Sequence, residues 1–174
     1  MLTEDLILKA STMDFGVIRR FVPSEFPGKA LEYLDESIVR ALDEYAVHLK
    51  HPVSPSTNPA GFYRFGGSER SRHWVGPAPS VVTGKEDVRR LSTAVDVFPF
   101  CDAGEAFEAA VNCREFGGIG IYYDTEYGGK DRTMFHFDLR ERPLWWCRVG
   151  GIYYYPANGG DHRKMFYAML SKSD

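Results

Sequence analysis

Apolar and polar positions alternate most regularly in Met134-Phe135-His136-Phe137-Asp138-Leu139-Arg140. A side-chain period of two predicts a β-strand, with Phe135, Phe137 and Leu139 on one face and Met134, His136, Asp138 and Arg140 on the other. A strand that gives its aromatic face to a core and lines up an imidazole, a carboxylate and a guanidinium opposite has the pattern of a site. The other pattern such a strand fits is a polar face turned to water.

Upstream, Leu31, Leu34, Ile38, Val39, Leu42, Tyr45, Ala46 and Leu49 recur at steps of three and four, which predicts one amphipathic helix from Gly28 to about Lys50. Its charged face, Glu32, Asp35, Glu36, Arg40, Asp43 and Glu44, is expected to be solvated. Pro52 to Ser56 fits only an edge segment, because each proline lacks a ladder donor. A turn over 57–61 leads to a short strand, Phe62 to Phe65, closed by Gly66-Gly67.

Pro77, Pro79, Gly84 and the charged run Lys85 to Arg90 predict a long surface loop between His73 and Asp96. Thr93 to Phe98 reads as a strand. Asp102 has the N-cap position of a second helix running to about Glu115, with Glu105 at capping-box spacing. The glycines of Gly117-Gly118-Ile119-Gly120-Ile121-Tyr122-Tyr123 precede no helix, so they point to close backbone packing in a strand rather than to a phosphate loop. Leu144 to Arg148 and Ile152 to Tyr155 form a hairpin around Gly150-Gly151, and a short helix is expected over 161–170. No element is assigned to the leader, residues 1–26; residues 27–174 are read as a single α+β domain, a mainly antiparallel central sheet backed by two helices.

Composition narrows the function. A chain of 174 residues supports one core. Its net charge of −3 lacks the basic footprint that phosphate backbones demand, so nucleic acid is not an expected partner. Cys101, Cys113 and Cys147 are odd in number and form no CxxC pair, which predicts reduced thiols rather than a disulfide framework or a thiolate zinc site. No apolar run has the length of a signal peptide or a membrane span, so a soluble chain without its own export signal is expected.

Two imidazoles and a carboxylate are a ligand set that catalytic zinc prefers, with a fourth position left for water. His73, Asp96 and His136 are the candidates. An aspartate on a buried strand, as Asp96 is between Val95 and Val97, is costly unless paired or metal-bound. His48, His51 and His162 lie at a helix end or a polar turn and read as surface residues. Arg64, flanked by three aromatics, reads as stacked on a ring or paired with a carboxylate when no site is considered.

Four segments in order, Ser71-Arg72-His73, Ser92-Thr93-Ala94-Val95-Asp96-Val97, Gly117 to Tyr123, and Phe135 to Arg140 followed by Trp145, resemble the zinc D-alanyl-D-alanine peptidase family. That family includes cell-wall carboxypeptidases, murein endopeptidases and phage endolysins. The resemblance spans about residues 60–148. It implies a hedgehog/D-Ala-D-Ala-peptidase-like fold, Zn2+ on His73, Asp96 and His136, and Arg64 holding a substrate carboxylate or polarised carbonyl. Two departures stand out. The 22 residues between His73 and Asp96 far exceed the family spacing, so the loop from Pro77 to Arg90 must bulge outward without moving His73. Many relatives carry the catalytic acid three residues before the last His, and here that position is Thr133. Asp138, on the face of His136, is the base chosen, with Asp131 and Glu126 as alternatives.

The expected function is zinc-dependent cleavage of the peptidoglycan stem peptide, next to a D-amino acid, as a carboxypeptidase or murein endopeptidase. Small size and the missing export signal fit a phage lysin or virion-associated murein hydrolase, placed in the virion or the host cytoplasm and acting on the cell wall. Other phage virion proteins are possible partners. The alternative is a non-catalytic structural or binding protein of a phage particle that keeps the fold. A third reading is a metal-free carbohydrate-binding surface built from Tyr122, Tyr123, Trp145 and Trp146.

Overall fold

The structure, a computed structural model, describes residues 13–155. Ten strands lie among them: β1 (Val53–Pro55), β2 (Arg64–Phe65), β3 (Trp74–Gly76), β4 (Ala94–Pro99), β5 (Gly118–Tyr122), β6 (Glu126–Tyr127), β7 (Lys130–Asp131), β8 (Met134–Asp138), β9 (Leu144–Val149) and β10 (Ile152–Tyr154). Six form one open sheet in the order β1-β4-β8-β5-β9-β10. Every pairing in it is antiparallel except β5 with β9. The molecule is therefore α+β with a mixed, mainly antiparallel sheet. The expected helix over 161–170 lies outside the described residues.

Three α-helices accompany the sheet rather than the two expected: α1 (Ala30–Tyr33), α2 (Glu36–Leu49) and α3 (Ala103–Asn112). The single helix predicted over 28–50 is broken at Leu34-Asp35. Leu34 is extended and bridges Ser92, and the bonds Asp35 N–H to Ser92 O (2.9 Å) and Ser92 N–H to Tyr33 O (2.7 Å) draw the backbone out of the helix. Asp35 then restarts it as an N-cap, accepting from Ser37 N–H. The periodicity survives because both helices present their apolar stripes to the same core. The stripe of α2 meets α3 and the sheet face of Val95, Val97, Ile119, Ile121, Phe135 and Phe137. Phe137 stacks on Phe116 with ring centroids 4.3 Å apart, and Tyr45 meets it edge-on at 4.7 Å. Full burial of such a side chain contributes about 1.5–3 kcal/mol, which makes this face the main stabilising layer.

One residue of the α2 charged face is not solvated. Asp43 is buried and accepts from the backbone N–H groups of Arg19 and Arg20 and from the Arg19 side chain, at 2.7–3.1 Å. It thereby ties residues 19–20 to the helix, next to Phe21 and Phe26, which are in the core. The 3-10 turns Phe15–Val17 and Pro23–Glu25 shape this segment.

Other expectations hold at the level of the element. Val53–Pro55 is an edge strand, and Asp102 caps α3 by accepting from Gly104 and Glu105 N–H. The Glu105 carboxylate instead meets His51 at 3.0 Å. The predicted strand over 62–65 shortens to Arg64–Phe65. It pairs in parallel with β3, inside the stretch expected to be loop. All three cysteines are free thiols. Among the described residues, no helix is long and apolar enough to cross a membrane.

Candidate metal centre

The site lies on the sheet face opposite the helices, and the register of the strands builds it. Asp96 on β4 stands beside His136 on β8, His136 beside Gly120 on β5, and Gly120 beside Trp146 on β9. These four side-chain positions form one row across four strands. The neighbouring row runs Ala94, Asp138, Gly118, Leu144. In each row a glycine of β5 separates a large side chain on β8 from one on β9, and the distances explain why. A Cβ on Gly118 would stand 2.4 Å from the Asp138 carboxylate, and one on Gly120 about 2.5 Å from the Trp146 indole. The glycines are the space that the polar side chains and the indole occupy.

His73 comes from outside the sheet, on the turn before β3. His73 Nε2 lies 3.0 Å from His136 Nδ1 and 3.3 Å from Asp96 Oδ1; His136 Nδ1 lies 2.9 Å from the same Oδ1. The three residues are 3–7% exposed. Ligand atoms around a tetrahedral zinc, at about 2.0–2.1 Å from the metal, stand about 3.3–3.4 Å from each other. The observed triangle is slightly tighter than that. Hydrogen bonds alone satisfy such a triangle poorly, since its edges meet near 60° and each proton can lie on only one. A cation at the centre answers all three lone pairs. The buried His73–Asp96–His136 group can therefore hold a metal ion.

His136 Nε2–H donates to Asp138 Oδ2 at 3.0 Å, so Nδ1, which faces Asp96, is the nitrogen that would offer a lone pair to a metal once its own proton is lost, whereas His73 Nδ1 has no hydrogen-bond partner among the described residues. Asp138 is fully buried, and Arg140 grips both its oxygens, with Nε at 2.8 and 3.1 Å and Nη2 at 2.5 Å. Arg140 in turn lies over the Trp146 ring, 5.0 Å from its centroid, and that ring packs 5.1 Å from His136.

Protonation follows from these contacts. Burial lowers the His73 pKa and outweighs the pull of Asp96, so His73 is neutral near pH 7. For His136 burial acts in the same direction, but the hydrogen bonds to Asp138 and Asp96 outweigh it and raise the metal-free pKa to about 9. Burial would raise both aspartates. The charges and hydrogen bonds of His73 and His136 on Asp96, and of Arg140 and His136 on Asp138, hold both well below the usual carboxylate range.

The end of the segment between β3 and β4 returns to the turn that carries His73 as a strap. Arg89 and Arg90 N–H both donate to Val75 O, and the Arg90 guanidinium bonds to Trp74 O (2.8 Å), Glu69 O (2.9 Å) and Ser71 O. It also lies over the Trp74 ring. Gly76 permits the approach, since a Cβ there would collide with Asp87 O at 1.8 Å.

Arg64 is exposed and lines the same concavity, about 330 Å³ in volume, with His73, Asp96 and His136. Its Nε donates to Ala60 O, and among the described residues it makes no ion pair. Asp138, the expected base, has its oxygens committed to His136 and Arg140. Asp131 and Thr133 line a different concavity with Phe135, and Glu126 is an exposed residue of β6. Asp96 is the sole carboxylate lining the metal concavity among the described residues.

Strand parity corrects one aromatic position. Trp145 packs on Phe107 in the core, and the tryptophan at the site is Trp146. Tyr122 and Trp146 share the site face, joined by Trp146 Nε1–H to Tyr122 Oη at 3.2 Å, while Tyr123 lines the concavity with Phe135. The four aromatics of the carbohydrate-surface reading therefore do not form one platform. His48 and His51 are surface residues, with His48 Nδ1 2.9 Å from Glu44 O; His162 lies outside the described residues. Arg70, Arg72 and Arg148, which also line the site, were not singled out from the sequence. The signal available was the density of arginine around the first ligand, in Glu69-Arg70-Ser71-Arg72-His73. Compared with family models, curated proteins and solved structures, the chain finds no match.

Proposed function

We propose that this chain is a zinc-dependent peptidase acting on the peptidoglycan stem peptide, as a D-Ala-D-Ala carboxypeptidase or murein endopeptidase of a phage lysin or virion, with the hedgehog-like arrangement of that peptidase class. The observation that carries the reading is the convergence of His73 Nε2, Asp96 Oδ1 and His136 Nδ1 within 3.3 Å of one another. Zinc bound there would supply Lewis acidity, polarising the scissile carbonyl and lowering the pKa of the attacking water.

The chain's own residues do the rest. Asp138 accepts a hydrogen bond from His136 Nε2–H and so turns Nδ1 toward the side where the metal would sit. Arg140 holds Asp138 as an anion, and Trp146 packs against His136 and Arg140 in the wall of the site. Arg64, with its two terminal nitrogens uncommitted to any described carboxylate, offers a fork for the substrate carboxylate or carbonyl oxygen. Asp138 thus serves as a positioning residue rather than as the base.

One observation favours the second reading, a non-catalytic phage structural or binding protein: no carboxylate besides the ligand Asp96 lines the concavity among the described residues. The test is zinc content together with release of new amino groups from purified peptidoglycan. One zinc per chain with release, abolished in His136→Ala, is the expected result. Stoichiometric zinc with no release assigns the chain to the second reading.

A further inference from the structure

The chain carries a net charge of −3, yet the walls of its metal site are cationic. Arg64, Arg70, Arg72, Arg140 and Arg148 all line the metal concavity. A second concavity of about 460 Å³ adjoins it, shares Arg70, Arg72 and Arg140, and adds Arg142 with Pro143 and Leu144; Glu141 is its one carboxylate. The two form a continuous trough running from the metal ligands past the start of β9.

Pairing separates these arginines into two groups. Arg140 is neutralised by Asp138 and Arg148 by Asp124; elsewhere Arg19, Arg40 and Arg89 have carboxylate partners, while Arg20, Arg90, Arg114 and Arg132 are unpaired but scattered rather than gathered in one concavity among the described residues. Arg64, Arg70, Arg72 and Arg142 make no ion pair among the described residues. Uncompensated guanidinium groups concentrated along one trough of an acidic protein repel each other and cost stability unless an anion occupies it. Guanidinium forks match carboxylates in pairs of parallel hydrogen bonds.

We infer that this trough recognises a substrate with free carboxylates on more than one residue: one group near Arg64, and at least one further group held by Arg70, Arg72 and Arg142. This deepens the peptidase reading and rests on it for the identity of the ligand. In a stem peptide the further groups are the free α-carboxylate of the γ-linked glutamate and the second carboxylate of a diamino acid in the third position. The trough thus selects stems whose carboxylates are free over those in which they are amidated.

The test compares a synthetic stem pentapeptide bearing both free carboxylates with the same peptide carrying carboxamides there. Binding to the zinc-loaded protein is measured by calorimetry and cleavage is followed in parallel. The acid peptide is expected to bind at least about tenfold more tightly, the range for hydrogen bonds to charged groups. The ratio should fall to near one in Arg70→Ala/Arg72→Ala, with zinc stoichiometry and circular dichroism unchanged. Arg70→Gln/Arg142→Gln, at two exposed positions, should lower it as well and serves if the first variant misfolds.

Equal binding of the two peptides by the unaltered protein overturns the inference, as does a preference that survives both double variants. Displacement of the acid peptide by equimolar inorganic phosphate also overturns it, assigning the trough to phosphate. A preference for the acid peptide without cleavage leaves the inference standing and sinks the hydrolase reading. Cleavage of both peptides at equal efficiency does the reverse.

Discussion

Of the three side chains that could hold a metal, two are held by the sheet and one by a loop, and the two regions solve the same positioning problem differently. Asp96 and His136 are neighbours in a β-ladder, so backbone hydrogen bonds set their separation and two carboxylate contacts set the imidazole orientation. His73 has no ladder around it on the site face. Its place depends on Ser71, on Arg64 N–H donating to His73 O at 2.7 Å, and on the strap from Arg90, 17 residues further on (90 − 73). A ligand in a ladder tolerates change in distant residues; a ligand on a strapped turn is only as well placed as the strap. That difference is measurable.

The largest effect is expected where the sheet-held half is broken. Asp138→Ala removes the one acceptor of the buried His136 Nε2–H and the partner of Arg140, leaving both donors unmatched. Breaking a buried pair in this way costs about 3–5 kcal/mol. Denaturant unfolding of the metal-free protein should show a loss of that size, and zinc affinity should fall as well. Retention of full stability would mean that the Asp138–His136–Arg140 contacts carry none of the fold.

Protons sharpen the same half. The His136 pKa in the metal-free protein, about 9, lies above the ordinary histidine value of about 6.5. A raised folded pKa contributes stability that is complete below the unfolded value and disappears as pH rises through the folded one. The metal-free protein should therefore lose stability between about pH 6.5 and pH 9. A zinc ion held at Nδ1, as proposed, would have to compete with that proton, so zinc affinity should rise by roughly tenfold per pH unit up to about pH 9 and then level off. Zinc titrations at several pH values, each against a competing chelator, read the slope. A flat profile would show that His136 is already neutral and refute the charge assignment.

These expectations draw on parts of the molecule that differ in how far they could be read from the chain. Strand parity alone separated His136 and Asp138 from Phe135 and Phe137, because a period of two is a local property, and the cost of burying a lone carboxylate picked out Asp96. Likewise the glycines of β5 read correctly as close packing, since no phosphate-binding helix follows them. What failed depended on partners far along the chain: the break at Leu34, forced by Ser92; the burial of Asp43, made possible by Arg19 and Arg20; and β3, which exists only by pairing with β2. The Arg90 strap is of this kind too. A charged run between two ligands reads as solvent-facing loop until the carbonyls it reaches are known.

The strap gives a smaller and more selective effect. Arg90→Gln removes a guanidinium that joins Trp74, Glu69 and Ser71 carbonyls and stacks on Trp74. Outer contacts of this sort typically change metal affinity by about 10–100-fold, and the lower figure is expected because Arg90 touches the ligand's neighbours rather than the ligand. Zinc should bind about tenfold more weakly while the His136 titration keeps its position. If the His136 pKa moved as far as the zinc affinity, the two halves of the site would not be separable.

The smallest effect belongs to the outer part of the loop between β3 and β4. Val81 and Val82 are almost wholly exposed, and residues 79–84 all face solvent. The inward anchors are elsewhere: Asp87 O over Gly76, Glu86 against the Tyr33 hydroxyl and Lys29, and Arg89 and Arg90 on Val75. Replacing residues 79–84 by a glycine-serine segment of the same length should thus change stability by less than about 0.5 kcal/mol and leave zinc affinity unaltered. A loss of zinc on this replacement would shift the burden of placing His73 from the Arg90 strap to the bulge itself. The bulge would then be part of the site's architecture, and its length would be constrained by the metal rather than tolerated as surface chain.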